Sequence, residues 1–115
     1  LLPLPVLMPR GDPNKKPEIV APAEGVPVLL EDGGWGIADG TSASTVYVAG
    51  ALCLLLEAMP GLKADESDGG ADNIDTVKRW LKDSALPQEG QTTHDDYYGY
   101  GLLNVRGLID EATQE

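Results

Sequence analysis

Residues 43–59 form a run that is apolar on nearly every face of a helix. Val46, Val48, Ala49, Ala51, Leu52, Cys53, Leu54, Leu55, Leu56, Ala58 and Met59 crowd it, broken mainly by Ser44, Thr45, Tyr47 and Glu57. A helix apolar all round belongs inside a large core. It is short and interrupted by hydroxyls for a membrane span, which needs roughly 20 apolar residues. Pro60 and Gly61 end it, since Pro cannot continue a helix and Gly tolerates the exit turn. The rest of the chain offers two short strands, two modest helices and long polar loops, too little to cover this helix from all sides. The expectation is a piece of a larger domain.

The start of the helix is where chemistry can sit. Gly40 permits a sharp approach, and Ser42 follows at or just inside the first turn. There the backbone N–H groups lack intrahelical partners and the helix dipole is positive. A serine oxygen in that field is favoured as it gains negative charge, and the free N–H groups suit part of an oxyanion hole. The competing assignment makes Thr41 or Ser42 no more than an N-cap.

The wider pattern bears on that choice. Gly40-Thr41-Ser42-Ala43-Ser44-Thr45-Val46-Tyr47-Val48-Ala49-Gly50 resembles the nucleophile segment of the subtilisin-like serine proteases (subtilases), usually Gly-Thr-Ser-Met-Ala-x-Pro-x-Val-Ala-Gly. Ala43 replaces the usual Met, Ser44 the usual Ala and Val46 the usual Pro. Lys16-Pro17-Glu18-Ile19-Val20-Ala21-Pro22 is similar to the Lys-Pro-Asp-(Val/Ile)-x-Ala-Pro-Gly segment ahead of that nucleophile, with Ala23 where Gly is usual. Tyr98-Gly99-Tyr100-Gly101-Leu102-Leu103-Asn104-Val105 is similar to the Gly-x-Gly-x-(Val/Leu)-(Asn/Asp) signature that closes the subtilase catalytic domain. The three segments stand in the family's order and span residues 16–112.

The resemblance implies an α/β chain with the C-terminal portion of the subtilisin-like fold. A central buried helix follows the nucleophile, with short strands and two peripheral helices, and residues 1–115 form one segment of an incomplete domain. It implies a serine endopeptidase in which Ser42 is the nucleophile and Thr41 its neighbour on the oxyanion side. A serine hydroxyl needs an adjacent base, and the base needs an orienting acid. In subtilases Asp and His precede Ser, and no His precedes Ser42 here. The family's side-chain oxyanion Asn also lies upstream. The implied partners are therefore an N-terminal segment of the same protease, carrying Asp and His, and a protein or peptide substrate. Negligible peptidase activity is expected of this chain alone. The alternatives are a catalytically inactive subtilase-like scaffold or binding module, and an unrelated acidic interaction domain.

Charge narrows the partners. Nineteen acidic residues against eight basic ones give −11, which repels nucleic acid and anionic membrane and argues against both. An extracellular location follows from the resemblance, and the charge suits it or a high-salt setting equally. Residues 1–8 are apolar but broken by Pro3 and Pro5 and lack a basic start, so they are expected to be an extended segment or an edge strand, not a signal peptide. Cys53, the single cysteine, is expected to be a small buried hydrophobe.

The remaining signals are local. Arg10-Gly11-Asp12 sits in a turn-rich loop and reads as an adhesion tripeptide or as a plain turn. Residues 18–21 and 26–30 are expected strands, residues 31–34 a turn, and residues 35–38 a connector into the nucleophile segment. No cofactor is expected. Asp65, Glu66, Asp68 and Asp72 suggest a calcium loop or a solvated one, and their spacing misses the EF-hand pattern. Asn73 is the expected N-cap of a helix over 74–84, with Val77, Trp80 and Leu81 on its apolar face. His94-Asp95-Asp96 is either a metal or base cluster or an exposed polar loop. Tyr97, Tyr98 and Tyr100 are expected to pack their rings with wet hydroxyls. A last helix is expected over 104–112, with Val105, Leu108 and Ile109 inward.

Overall fold

The protein is described as a computed structural model that covers residues 15–62 and 71–114. Strands β1 (Val26–Leu29) and β2 (Trp35–Ala38) precede helix α1 (Thr41–Ala58). A 3₁₀ turn (Pro60–Leu62) follows, then helices α2 (Ala71–Ser84) and α3 (Val105–Gln114). The expectations for residues 1–8, for Arg10-Gly11-Asp12 and for Asp65, Glu66 and Asp68 fall outside the described residues.

Helix α1 runs to the stop that Pro60 imposes, and the Met59 N–H closes it on the Leu55 carbonyl at 2.8 Å. By length and apolar composition alone, its 18 residues could cross a membrane. One stripe of it is buried in protein. Leu55 is 1% exposed and packs with Trp80 of α2 and with Leu108 and Ala112 of α3, both fully buried. One turn earlier Ala51 packs with Ala21 and Leu103. Val48, Ala51, Leu52, Leu55 and Met59 recur at the three- and four-residue spacing of one helical face. The opposite stripe is bare: Val46 is 70% exposed, and Gly50, Cys53 and Leu54 are also exposed. Cys53 therefore departs from its expected burial, because it lies on the face of α1 that the other described residues leave open. The shortage of covering chain foreseen from the sequence is thus visible at α1 itself.

Helices α2 and α3 complete the core. Val77, Trp80 and Leu81 do face inward, yet Asn73 is not a cap. Helix α2 begins at Ala71, and the Asn73 side chain lies within it, donating back to the Leu62 carbonyl at 3.3 Å. Asn104 caps α3 by accepting the Gly107 N–H at 3.0 Å through its side chain, one of the N–H groups that a helix start leaves open. The Trp80 indole N–H is buried with no partner among the described residues.

Residues 18–21 do not form a regular strand. Val20 makes a single parallel bridge to Leu102, because Pro17 and Pro22 on either side lack the N–H a longer ladder needs. The bridge is firm nonetheless: the Val20 N–H donates to Gly101 O at 3.0 Å and the Leu103 N–H to Val20 O at 2.8 Å. Residues 35–38, expected as a connector, are instead a strand. β2 pairs antiparallel with β1, Val26 opposite Ala38 and Leu29 opposite Trp35. The turn over residues 31–34 closes the hairpin through Leu30 N–H to Gly34 O at 2.8 Å. Alternation of side chains puts Pro27, Leu29, Trp35 and Ile37 on one face, and all four are exposed.

Candidate functional site

The hairpin delivers the chain to the start of α1. Gly40 is the N-cap residue, with φ 114° and ψ 168°. A side chain is strained at that φ, so the glycine is needed for the turn itself. Its carbonyl accepts the Ala43 N–H at 3.1 Å and the Ser44 N–H at 3.4 Å. No side chain caps the helix. This separates the two assignments of the hydroxyls: neither Thr41 nor Ser42 is the N-cap. Thr41 is the first helical residue and Ser42 the second. Both are exposed.

Ser42 therefore sits in the open first turn of α1. The amides of Thr41 and Ser42 have no intrahelical acceptor by position, and the dipole is positive there. No acidic residue lies in the first turn to oppose charge developing on oxygen. Neither the Ser42 nor the Thr41 hydroxyl has a hydrogen-bond partner among the described residues, whereas the hydroxyls of Ser44 and Thr45 are engaged. Thr45 donates to Thr41 O at 3.1 Å, and Ser44 donates to Ala21 O at 2.6 Å and to Pro22 O at 2.9 Å.

The segment behind this helix start is held from several sides. The Gly40 N–H donates to Ala23 O at 2.7 Å, and the Gly25 N–H donates to the Asp39 carboxylate at 2.8 Å. Together with Ser44, these contacts lay residues 21–25 along the approach to α1. The spacing of the motif did not reveal them. The available signal was Ser44 itself, a hydroxyl where the resembling pattern has Ala.

His94 is not an exposed loop residue. It is half-buried, with a ring nitrogen 2.9 Å from Pro17 O and its ring edge-on to Tyr100 at 5.0 Å. The Lys82 ammonium stands 4.8 Å from the Tyr100 ring centre, within reach of its electron-rich face. Asp95 is occupied as well, accepting the Tyr97 and Tyr98 N–H groups at 2.7 and 3.0 Å. This cluster ties the C-terminal loop to residues 16–18, and its partners do not include the start of α1. Among the described residues no group of three or more His, Cys, Asp or Glu side chains is placed to hold a metal ion.

A family model described as the subtilase family matches residues 7–101. No curated protein matches the chain. Among solved structures, the chain is similar to the Clostridium perfringens CspB protease, with a TM-score of 0.71 and 23% identity over 94% of this chain and 23% of that one. It is also similar to the patellamide maturation protease PatA, with a TM-score of 0.59 and 28% identity over 84% of this chain and 34% of that one. The chain thus spans about a quarter to a third of the length of these two structures.

Proposed function

Since the chain belongs to the subtilase family of serine proteases, we propose that it supplies the nucleophile of a serine endopeptidase and that Ser42 is that nucleophile. The observation that carries this reading is the free, exposed Ser42 hydroxyl on the second residue of α1, beside the Thr41 and Ser42 amides, which no side chain caps. In the reaction the Ser42 oxygen attacks a peptide carbonyl and its proton passes to a histidine. The carbonyl oxygen, now negative, is stabilised by the N–H groups at the helix start, with Thr41 on that side. The leaving amine takes the proton, and water then hydrolyses the acyl-enzyme.

The histidine and its orienting aspartate come, on this reading, from an N-terminal segment of the same protease. His94 is a poor candidate for the base, because its contacts run to Pro17 and Tyr100 and not to the start of α1. The bare stripe of α1 supports a missing partner segment, as does an apolar groove of about 530 Å³ lined by Ile19, Val48, Leu52, Leu56, Ile74 and Val77. Leaving such surface in water is unfavourable, at about 25 cal/mol per Å². The substrate is a protein or peptide. The acidic charge and the family together favour a secreted protein and disfavour nucleic acid and membrane as partners.

The test is fluorophosphonate labelling of the protein in its native source preparation, followed by peptide mapping. A label on Ser42, absent from Ser42→Ala, is the expected result. A folded protein that takes no label, beside a control protease that does, would overturn the proposal in favour of a catalytically inactive scaffold.

A further inference from the structure

We infer that Ser44 is a positioning residue for Ser42, its hydroxyl clamping the first turn of α1 to the Ala21 and Pro22 carbonyls. The inference rests on the reading of Ser42 as nucleophile and adds the device that fixes where its oxygen stands.

Four other helix hydroxyls turn back on their own helix. Thr45 donates to Thr41 O, Thr76 to Asp72 O, Ser84 to Trp80 O and Thr113 to Ile109 O. Such back-bonds are local and say little about tertiary position. Ser44 does otherwise: it reaches carbonyls 23 and 22 residues away, at 2.6 and 2.9 Å. A hydroxyl carries one proton, so the two carbonyls share it, with the shorter contact to Ala21. Ala21 is itself immobilised, 3% exposed against Ala51 and Leu103. The neighbouring Val20 is bonded through both its N–H and its carbonyl to residues 101 and 103.

Ser42 is thus bracketed. Ahead of it, Gly40 N–H is tied to Ala23 and Asp39 to Gly25. Behind it, Ser44 is tied to Ala21 and Pro22. The Ser42 hydroxyl has no anchor of its own among the described residues, so its place relative to an incoming carbonyl is set by these two ties. The tie behind it disappears if Ser44 loses its oxygen. A displacement of about 1 Å at a reacting group can cost roughly a hundredfold in rate.

The experiment compares wild type, Ser44→Ala and Ser44→Thr in the complete protease. The readouts are the concentration dependence of fluorophosphonate labelling and amide hydrogen exchange at Gly40 and Ala43. In Ser44→Ala the maximal labelling rate is expected to fall roughly tenfold to a hundredfold, with the half-saturating probe concentration little changed. The Gly40 amide is expected to exchange faster. Ser44→Thr, which keeps the hydroxyl, is expected to restore both. Wild-type labelling matched by Ser44→Ala would overturn the positioning role alone. So would a loss of labelling that tracks global unfolding, seen as faster exchange throughout α2 and α3. A wild type that takes no label removes the nucleophile reading and the inference with it.

Discussion

Gly101 passes so close to Leu86 that a side chain on it would collide with the Leu86 carbonyl. Its φ of 129° is equally closed to other residues. The contact matters because Leu86 and Leu102 exchange both backbone hydrogen bonds, each at 2.8 Å. The same turn presents Gly101 O to Val20. Gly101→Ala is therefore expected to break two connections at once and to cost about 3–5 kcal/mol. Urea unfolding followed by Trp80 fluorescence measures it, and a midpoint equal to wild type would refute the arrangement.

The uneven burial of α1 predicts uneven sensitivity. Leu55→Ala empties a site packed by Trp80 and Leu108 and is expected to destabilise by about 2–5 kcal/mol. Leu54→Ala, one residue earlier and 52% exposed, is expected to stay within about 0.5 kcal/mol in the chain alone. Equal losses at the two positions in a denaturation series would contradict the one-sided packing.

Cys53 offers a chemical footprint of the bare stripe. Its thiol is free and exposed here, so a small alkylating reagent is expected to modify it readily in the isolated chain. In the complete protease the proposed upstream segment covers this face. The modification rate is then expected to drop by about tenfold or more, since reaction requires opening. Mass spectrometry of timed samples gives both rates. An unchanged rate would mean that nothing docks on this side of α1.

Gly40→Ala isolates backbone strain, because no atom lies within 4 Å of the position a new Cβ would take. The φ of 114° alone is expected to cost about 1–3 kcal/mol. The helix start should relax toward ordinary geometry, and Ser42 labelling in the complete protease should fall with it. Full labelling at unchanged stability would show that this φ is not needed to present Ser42.

Ser42→Ala provides the opposite pattern. The hydroxyl has no partner among the described residues and the residue is exposed. Its removal is expected to shift stability by less than about 0.5 kcal/mol while ending all labelling. A large loss of stability, read by thermal unfolding, would point to a structural role.

Much of the fold could be read from short-range pattern. The stop at Pro60, the inward face of Val77, Trp80 and Leu81, and the helix start at Asn104 each depend on neighbours within a turn or two. Capping and helical periodicity are written at that range. The order Lys16-Pro17, Gly40-Thr41-Ser42, Gly99-x-Gly101 likewise pointed to the family before any packing was known. The hairpin was legible in principle from a glycine turn between two apolar runs, but a run as short as residues 35–38 carries too little alternation to be told from a connector.

The sequence by itself determined that three helices form, where the last one starts and that Ser42 follows a glycine hinge by two residues, because those depend on local backbone preference. Only the tertiary structure decided three other matters: that Ser44 bonds to Ala21 rather than to its own helix, that His94 is spent on Pro17, and that Cys53 faces outward. Each depends on which distant segment lies alongside, or on none doing so. Hydrogen bonding and burial are properties of that approach, and no residue carries them in its own type.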